Sequence, residues 1–494
     1  MSDSRQKIKE DLLQSCAALI EAVIPQEDAW PQVRLSTLED QSRQVGHWLA
    51  QHLLEKLVAL HPQAHPDTVS VCPHCAKPLR IQEREQVRPL PTTLGAITYC
   101  RPYGTCDRCR ISGAPLDWTL GIPPTGASVA YRQQIADACT VGRSFEIGKK
   151  ILQTHDRLTL GTKAVWRISL QEGRRLAEER HAHVQAVFPQ PCRGRPAQDQ
   201  ARQWRPALPA SPVPKLLVIT TDGGRVQTIA AEKDKRWKED RIGAVYDALA
   251  RPQPHATRDT YAGAKALTTT FVASMESWEN FGPMLYTEAL QRGYAHAVQQ
   301  VFLSDGAEAI RSLRELHFPE AVPILDWCHV VEHLHACATA AFGADSPLAQ
   351  RWVERQIDRL WNGKISEIIQ ELQKQSKRLG EPHPNEPELS PQLILHRNAF
   401  SYFPTHQKAM NYPFFRSQGW PIGSGVAEAA VKRFGLRVKG SEKFWRLQGA
   451  EEMLALCASL FSEDGRWQRY WDRRAAAYVP PRPPPKTLSP PAPP

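Results

Sequence analysis

The densest group of reactive side chains in the chain is LDWCHVVEHLH, which runs from Leu325 to His335. It contains an H-x-x-E-H string from His329 to His333, the spacing of the zinc motif of inverted zinc peptidases. A peptidase also needs a third zinc ligand, typically a glutamate on a helix about 75 residues further on. Residues 385–410 offer no glutamate past Glu388 and are broken by prolines. The sequence therefore favours another chemistry, with the zinc peptidase as an alternative.

Two aspartates stand where apolar, strand-like segments end. Asp222 follows KLLVITT and precedes Gly-Gly, and Asp305 follows VFLS and precedes one glycine. Functional groups of an α/β sheet gather at the carboxyl ends of its strands, so we expect these carboxylates close together. Close carboxylates repel each other unless they share a cation, and Mg²⁺ or Mn²⁺ prefers oxygen ligands. At either position alone, Asp-Gly would equally mark a simple turn.

A third acid, Glu428, lies in GWPIGSGVAEAAVKRFGLRVKGSEKFW. Gly-Ser-Gly leads directly into a helix-forming segment, so Glu428 is expected in the first turns of a helix. An acid followed by cations suits a metal ligand beside a bound phosphate backbone, although a surface helix with an i,i+4 Glu–Lys pair looks the same. The residues assigned here to DNA binding are Lys432, Arg433, Arg437, Lys439 and Trp445.

Two Cys-x-x-Cys pairs flank a segment that alternates like a β-hairpin. Each pair can hold one side of a tetrahedral Zn²⁺, and pair, hairpin and pair is the arrangement of a zinc ribbon. Four thiolates leave no coordination position open, so this zinc is expected to stabilise the fold and not to catalyse. Unrelated buried cysteines or a redox pair are the alternatives, and Cys100 is expected on a strand. The predicted zinc ligands are Cys72, Cys75, Cys106 and Cys109.

Basic side chains recur in the helical segment after the ribbon. Its periodicity predicts a helix near 144–154 and a second near 160–178, a spacing compatible with helix-turn-helix. Cations there would meet DNA phosphates with little base specificity, unless the segment is only a connector with a solvated basic face. The residues assigned to DNA binding are Lys163 and Arg167, with Lys149, Lys150 and Arg157 as further phosphate contacts.

An α/β sheet must position the acids. From Lys215, KLLVITTDGGRVQTIAA predicts a buried strand, a Gly-Gly turn and a second strand, and RIGAVYDALA predicts a third. TTFVASMESWENFGPMLYTEALQRG predicts a helix, and two strand-into-helix units follow around Asp305 and Asp326. This order indicates a sheet with helices on its faces.

Composition and periodicity divide the rest of the chain. The predicted segments are an N-terminal helical region (1–66), a zinc ribbon (67–118), a helical, helix-turn-helix-like region (119–185), a Pro/Arg-rich linker (186–214), the first part of the α/β core (215–340), a helical insertion (341–420), a C-terminal core helix with the third acid (421–475) and a disordered Pro-rich tail (476–494).

The charge balance points to a polyanion. The 494 residues include 62 Lys+Arg and 52 Asp+Glu, a net charge of +10, which suggests nucleic acid as the partner or else a merely basic protein. The N-terminal sequence lacks a signal-peptide pattern, and no apolar run approaches the roughly 18 residues of a membrane span. Eleven scattered cysteines fit reduced thiols in a cytosol.

Four stretches together carry a family resemblance: TTDGGRV, FLSDGAEAI, ILDWCHVVEHL and PIGSGVAEAAVKRFGLRVKGSEKFW. With them the chain resembles bacterial insertion-sequence transposases of the Asp-Asp-Glu type, in particular the ISKra-type family, over residues 70–470. The resemblance implies an RNase H-like catalytic core with an all-α insertion, preceded by a zinc ribbon and a helical DNA-binding region. Asp222, Asp305 and Glu428 match the family's three catalytic acids, and Asp326 and His329 match its D-x-x-H signature.

The resemblance also implies an activity. Such a transposase uses two Mg²⁺ or Mn²⁺ ions to hydrolyse phosphodiesters and transfer strands at the ends of its element, as a homodimer or higher oligomer on double-stranded DNA in the bacterial cytoplasm. The chain departs from the family's K-x-S-G at 439–442, which reads Lys-Gly-Ser-Glu. Two alternatives are a structure-selective nuclease that never joins strands and a DNA-binding descendant without catalysis.

Overall fold

The computed structural model of the chain describes residues 2–124, 126–155, 158, 160–189, 213–229 and 236–482. The chain forms two compact units, Met1–Ile168 with Trp467–Pro494 and Ser169–Arg466. The boundary falls inside a helix, whereas the sequence predicts a domain change after residue 185. Most of the predicted linker, residues 190–212, lies outside the described residues, and so does Arg157.

The first unit begins with two helices, as its amphipathic sequence predicts. They are α1 (Ser2–Val23) and α2 (Leu35–Ala59). The side chain of Gln51 donates to the carbonyl of Ala96 at 2.6 Å, which ties α2 to the neighbouring sheet. That antiparallel sheet has the order β1-β2-β3, and its strands are β1 (Arg80–Thr92), β2 (Gly95–Cys106) and β3 (Ile111–Gly113).

A helical cluster follows the ribbon. Ile135, Leu152 and Val165 are fully buried in its core, one from each of three successive helices. Both helices predicted near 144–154 and 160–178 are present, and the second is longer than predicted. The helices of this region are α3 (Pro115–Thr119), α4 (Val129–Val141), α5 (Phe145–His155) and α6 (Thr162–Val187).

The start of the predicted Pro-rich tail contacts the ribbon region. The backbone N–H of Tyr478 donates to the carbonyl of Trp118 at 3.0 Å, and its hydroxyl donates to the carbonyl of Ile122 at 3.2 Å. The imidazole Nε2 of His74 donates to the carbonyl of Pro480 at 2.7 Å. The prediction of disorder from residue 476 is therefore corrected for the residues up to Pro480.

The second unit is built on a mixed β-sheet. Among the described residues its strands lie in the order β6-β5-β4-β7-β8. β4, β5 and β6 are antiparallel, whereas β7 and β8 are parallel to β4. The strands are β4 (Leu216–Gln227), β5 (Trp237–Leu249), β6 (Lys265–Ser274), β7 (Gln299–Ser304) and β8 (Val322–Leu325).

Gly223 and Gly224 lie inside β4, whereas the sequence predicts a turn there. β4 continues through them and pairs them with Arg241 and Asp240 of β5. A Cβ atom on Gly224 would come within 2.5 Å of Oδ1 of Asp240, so the opposing side chain explains a glycine at this place. The sequence pattern assigns TTFVAS, the last six residues of β6, to a helix, and this prediction is wrong.

Helices cover both faces of this sheet. Leu217 and Ile219 of β4 point to one face, and Leu216 and Val218 point to the other. The described helices are α7 (Trp278–Gln291), α8 (Glu308–His317), α9 (Trp327–Phe342), α10 (Pro347–Trp361), α11 (Ile365–Leu379), α12 (Pro391–Arg397), α13 (Phe403–His406), α14 (Tyr412–Gln418), α15 (Gly425–Val438) and α16 (Leu447–Phe461), with α17 (Arg466–Ala475) at the unit boundary.

The mixed α/β class is thus confirmed. Residues 341–420, predicted as a helical insertion, consist of helices and turns in the structure. They include a π-helical turn, Asn398–Tyr402, between α12 and α13.

Candidate functional site

Asp222 and Asp305 stand at the same height on neighbouring parallel strands. The register pairs Thr220 of β4 with Leu303 of β7, so each aspartate lies two residues beyond a paired position. Asp222 is within β4, opposite Ile242 of β5, and Asp305 directly follows β7. The structure therefore brings these two predicted acids together at one edge of the parallel strands.

The ionisation of Asp222 reflects its neighbours. Burial raises the pKa of Asp222 above the ordinary aspartate value, and the negative charges of Asp305 and Glu428 raise it further. The N–H of Gly223 donates to Oδ1 of Asp222 at 2.7 Å and acts in the opposite direction, as does the charge of His329. The predicted acids and His329 therefore share one electrostatic environment.

Glu428 lies in the first turn of α15, as predicted. Its backbone N–H donates to the carbonyl of Ser424 at 3.0 Å, and a carboxylate at this end of a helix is favoured by the helix dipole. Its side chain is 37% exposed and lies 3.4 Å from Nζ of Lys432. An ion pair this exposed is weak, so Glu428 can exchange Lys432 for a metal cation.

Asp326 is fully buried and joins three elements. Its Oδ1 accepts from the backbone N–H of His329 at 2.9 Å, which caps α9. Its Oδ2 accepts from the backbone N–H of Ser424, just before α15, and its own N–H donates to the carbonyl of Ser304 at the end of β7 at 2.8 Å. Asp326 therefore fixes the helix that carries Glu428 relative to the strand that precedes Asp305.

The surroundings of His329 favour its protonated form. Its Nδ1 lies 3.0 Å from Oδ1 of Asp326. Burial alone would lower the pKa of His329, but the hydrogen bond and charge of Asp326, with the charge of Asp305, outweigh burial and raise it. His329 therefore carries a positive charge over a wider pH range than an ordinary histidine.

His333 makes different contacts from His329. It packs against an aromatic ring and an amide from the segment 398–402, and the sequence pattern does not predict these contacts. Its ring stacks on Tyr402 at 3.8 Å, and its Nδ1 donates to Oδ1 of Asn398 at 2.8 Å. The hydroxyl of Tyr402 donates to the carbonyl of Asp305 at 3.3 Å. The ring of Tyr402 also lies 3.4 Å from where a Cβ on Gly306 would stand. The π-helical turn therefore holds the loop of the second acid.

The four ribbon cysteines form a closed cluster. Among the residues that the structure describes, Cys72, Cys75, Cys106 and Cys109 are the only group of three or more His, Cys, Asp or Glu side chains whose ligand atoms all lie within 4.8 Å of one another. Sγ of Cys75 and Sγ of Cys106 are 3.6 Å apart. Four sulfur ligands at this spacing can hold a tetrahedral metal such as zinc, as predicted.

Both knuckles of the ribbon repeat one backbone turn. The residue after each second cysteine has a left-handed backbone, Ala76 at φ 54° and Arg110 at φ 56°. The N–H of Ala76 donates to the carbonyl of Cys72 at 2.8 Å, and that of Arg110 to Cys106 at 2.7 Å. The hydrogen bond from Lys77 lowers the pKa of Cys75 to about 7, so a thiolate is accessible near neutral pH. Cys100 is exposed on β2, as predicted.

The H-x-x-E-H residues do not form such a cluster. Within the described residues, His329, Glu332 and His333 belong to no closed group of metal ligands. His329 bonds to Asp326, and His333 bonds to Asn398. The geometry therefore gives no support to the peptidase alternative.

The side chains assigned to DNA binding on α15 and just after it separate into exposed and buried positions. Lys432 and Arg433 are exposed, and Lys439 is half-buried. Arg437 is only 2% exposed and Trp445 only 7%, and the indole of Trp445 donates to the carbonyl of Val438. Burial corrects the prediction that Arg437 and Trp445 contact DNA directly.

The start of α6 presents an exposed basic face. Lys163 and Arg167 are exposed there, and Trp166 between them is 48% exposed. The sequence assigned no role to Trp166, although an aromatic ring between cations is a common contact for nucleic acid.

Compared with models of known protein families and with curated proteins, the chain matches none. None of the described helices is long and apolar enough to cross a membrane.

Proposed function

We propose that the chain is a bacterial insertion-sequence transposase of the Asp-Asp-Glu type, similar to the ISKra-type family. The observation that carries the proposal is the convergence of three distant acids. Asp222 and Asp305 lie side by side beyond the paired residues of the neighbouring strands β4 and β7, and the charge of Glu428 acts on Asp222. Three carboxylates gathered in this way need a cation, which is the requirement of metal-assisted phosphodiester chemistry.

The sheet supports an RNase H-like core. The first acid lies on β4, which ends the antiparallel series β6-β5-β4 and is the central strand of the five-stranded sheet. The second acid directly follows β7, the parallel neighbour of β4. The third acid lies on α15, which follows the helical segment 341–420 in the chain. This order of strands and acids is the one expected of such a core.

The donor set fits a hard divalent cation. The carboxylates are oxygen ligands, and burial together with the charges of Asp305 and Glu428 raises the pKa of Asp222, an effect that a bound cation would oppose. The three acids are spaced more widely than the four cysteines. Wide spacing suits an open site that substrate oxygens complete. Asp222, Asp305 and Glu428 would hold two Mg²⁺ or Mn²⁺ ions, which, when bound, activate a water or 3′-hydroxyl and neutralise the leaving oxygen.

The surrounding residues would orient the DNA. The charged imidazole of His329 is placed to donate to a phosphate oxygen, and Asp326 keeps it in place. Lys163 and Arg167, with the zinc ribbon, would bind the ends of the element, and Lys432 and Arg433 would hold phosphates beside Glu428. We propose that the active form is a homodimer or a higher oligomer on DNA in the cytoplasm.

The test is Asp305→Asn in the full chain, with duplex DNA from the ends of the encoding element. Loss of one charge at constant shape should lower Mg²⁺-dependent cleavage by about 10³-fold or more. Asp345→Asn is the matched control because Asp345 is exposed and its left-handed backbone (φ 58°) also suits asparagine. Unchanged cleavage by Asp305→Asn would refute the proposal.

A second readout separates the alternatives. Joining of cut ends to a target duplex supports a transposase, whereas cleavage without joining indicates a nuclease. DNA binding without cleavage by the unaltered chain indicates a DNA-binding descendant.

A further inference from the structure

A pocket of about 490 Å³ opens beside Glu428. Its walls come from residues 258–266, which lead into β6, from the start of α9, from the end of α10 and from residues 421–428, which lead into α15. Asp326 and Glu428 both line it, so the pocket is continuous with the acidic site. Its volume lies within the range of small-ligand pockets, about 300–1,000 Å³.

Aromatic rings form much of the lining. Trp361 meets Trp327 edge to face, with ring centroids 5.2 Å apart, and meets Tyr261 at 6.2 Å. The guanidinium of Arg416 lies 3.6 Å from the centre of the Trp361 ring and holds it in place. These three rings are only half-buried, which leaves aromatic surface open to the pocket.

We propose that this pocket receives one unpaired nucleobase of the DNA strand that is cut at the acids, an inference that rests on the proposed function. Aromatic side chains bind bases of any sequence by stacking, because every base has a π-face. Enzymes that act on duplex DNA can swing a nucleotide out of the stack into such a pocket. Because Glu428 belongs to the pocket and to the acidic site, the base belongs to a nucleotide beside the cut phosphodiester.

Arg258 supplies a cation at the same pocket. Its side chain is 38% exposed and lies 3.3 Å from Glu354 and 3.4 Å from Asp358. Exposed ion pairs of this kind are weak and exchange readily. Arg258 is therefore available to a phosphate of the strand whose base enters, which favours a nucleotide over an uncharged ligand.

Gly425→Leu tests the pocket by filling it. Gly425 lines the pocket, and no heavy atom lies within 4 Å of a Cβ built on it. Gly46→Leu is the control, because Gly46 is also helical, with equally open space. With duplex substrates, Gly425→Leu should slow cleavage by about tenfold or more, since stacking of one base is lost. An abasic residue at one position beside the cut should abolish that difference between the variants.

Equal cleavage by both leucine variants, or no relief by any abasic position, would overturn the pocket while leaving the proposed function intact. If the unaltered chain cleaves nothing, the pocket is still tested by thiol labelling. Cys328 is exposed and lines the pocket. A duplex with one unpaired adenine should protect Cys328 from maleimide several-fold better than the same duplex with an abasic residue there. Equal protection, or equal protection by free deoxyadenosine monophosphate, would also overturn the proposal.

Discussion

The cysteine cluster of the ribbon and the acidic site of the sheet gather metal-ligand side chains in opposite ways. The four cysteines lie within 38 residues of sequence, from Cys72 to Cys109, and their ligand atoms are packed within 4.8 Å. The three acids come from positions as far apart as Asp222 and Glu428 and stay more widely spaced. One site is closed and local, whereas the other is open and assembled by the fold.

The two sites therefore depend on metal differently. In the ribbon, the core around the cysteines is small, and metal bonds replace the apolar burial that a larger domain would have. In the second unit, a large core packs around β4, β7 and β8 without any help from the acids. We therefore expect metal to stabilise the fold of the ribbon, and cations to complete the chemistry but not the fold of the acidic site.

Cys106→Ser should have the largest effect, because it removes one of the four buried or half-buried thiols of the cluster that can hold zinc. Metal binding in small zinc domains contributes about 10–16 kcal/mol to folding, so losing one ligand should unfold the ribbon at 37 °C. Zinc content and thermal unfolding of the full chain measure this. Cys100→Ser is the control, since Cys100 is exposed on the same hairpin. If the two variants bound the same amount of zinc and unfolded at the same temperature, the fold of the ribbon would not depend on metal, and the contrast with the acidic site would be refuted.

Asp326→Asn should have the next largest effect. It changes the acidic site indirectly, because Asp326 holds the segments that carry Glu428 and His329. Both oxygens of Asp326 accept hydrogen bonds, so an amide NH₂ would face a donor. We expect a loss of about 1–3 kcal/mol in the free energy of unfolding and about 10²-fold in cleavage through misplacement of Glu428 and His329. Denaturant titration and cleavage rates measure the two losses.

Glu332→Gln is its control, since Glu332 is exposed on the same helix. A stability loss without any change in cleavage would show that Asp326 supports only the fold.

The contrast between a local cysteine cluster and an acidic site assembled from distant positions also explains which features could be predicted from the sequence. The cysteine cluster was predictable to the residue, because both knuckles are contiguous and their cysteines alone define the site. Asp222 and Asp305 could be placed because apolar strands precede them, and Glu428 because Gly-Ser-Gly opens its helix. The resemblance to the ISKra-type family remains a prediction.

Interactions between distant segments could not be predicted. The support of Asp305 by Tyr402 depends on a π-helical turn, which has no signature in a single sequence. Gly223 and Gly224 suggest a turn until Asp240 is seen opposite them. Prolines at 391 and 413 look like breaks, but each lies in the first turn of a short helix, where its missing N–H costs nothing. Pro404 also looks like a break, but it lies just after the π-helical turn in a continuous helical run.

The smallest expected effect is a pH-dependent stability that belongs to the acidic site and not to the ribbon. The folded pKa of Asp222 is raised by burial and by its acidic neighbours. Its protonated form therefore stabilises the fold below the unfolded aspartate pKa, about 3.9, and this contribution is lost as pH rises through the raised folded pKa. Mg²⁺ should offset the loss, because the cation binds only the ionised carboxylate.

His329 provides a second step at higher pH. Its raised pKa adds stability that is present below about 6.5 and is lost as pH rises through the folded value. Melting temperatures recorded across pH, with and without Mg²⁺, should therefore show two losses in the cation-free chain. Asp222→Asn should remove the lower step and His329→Gln the upper one. If Mg²⁺ changed neither step, the acids would not form a cation site, and only the closed cluster of the ribbon would remain as a metal centre.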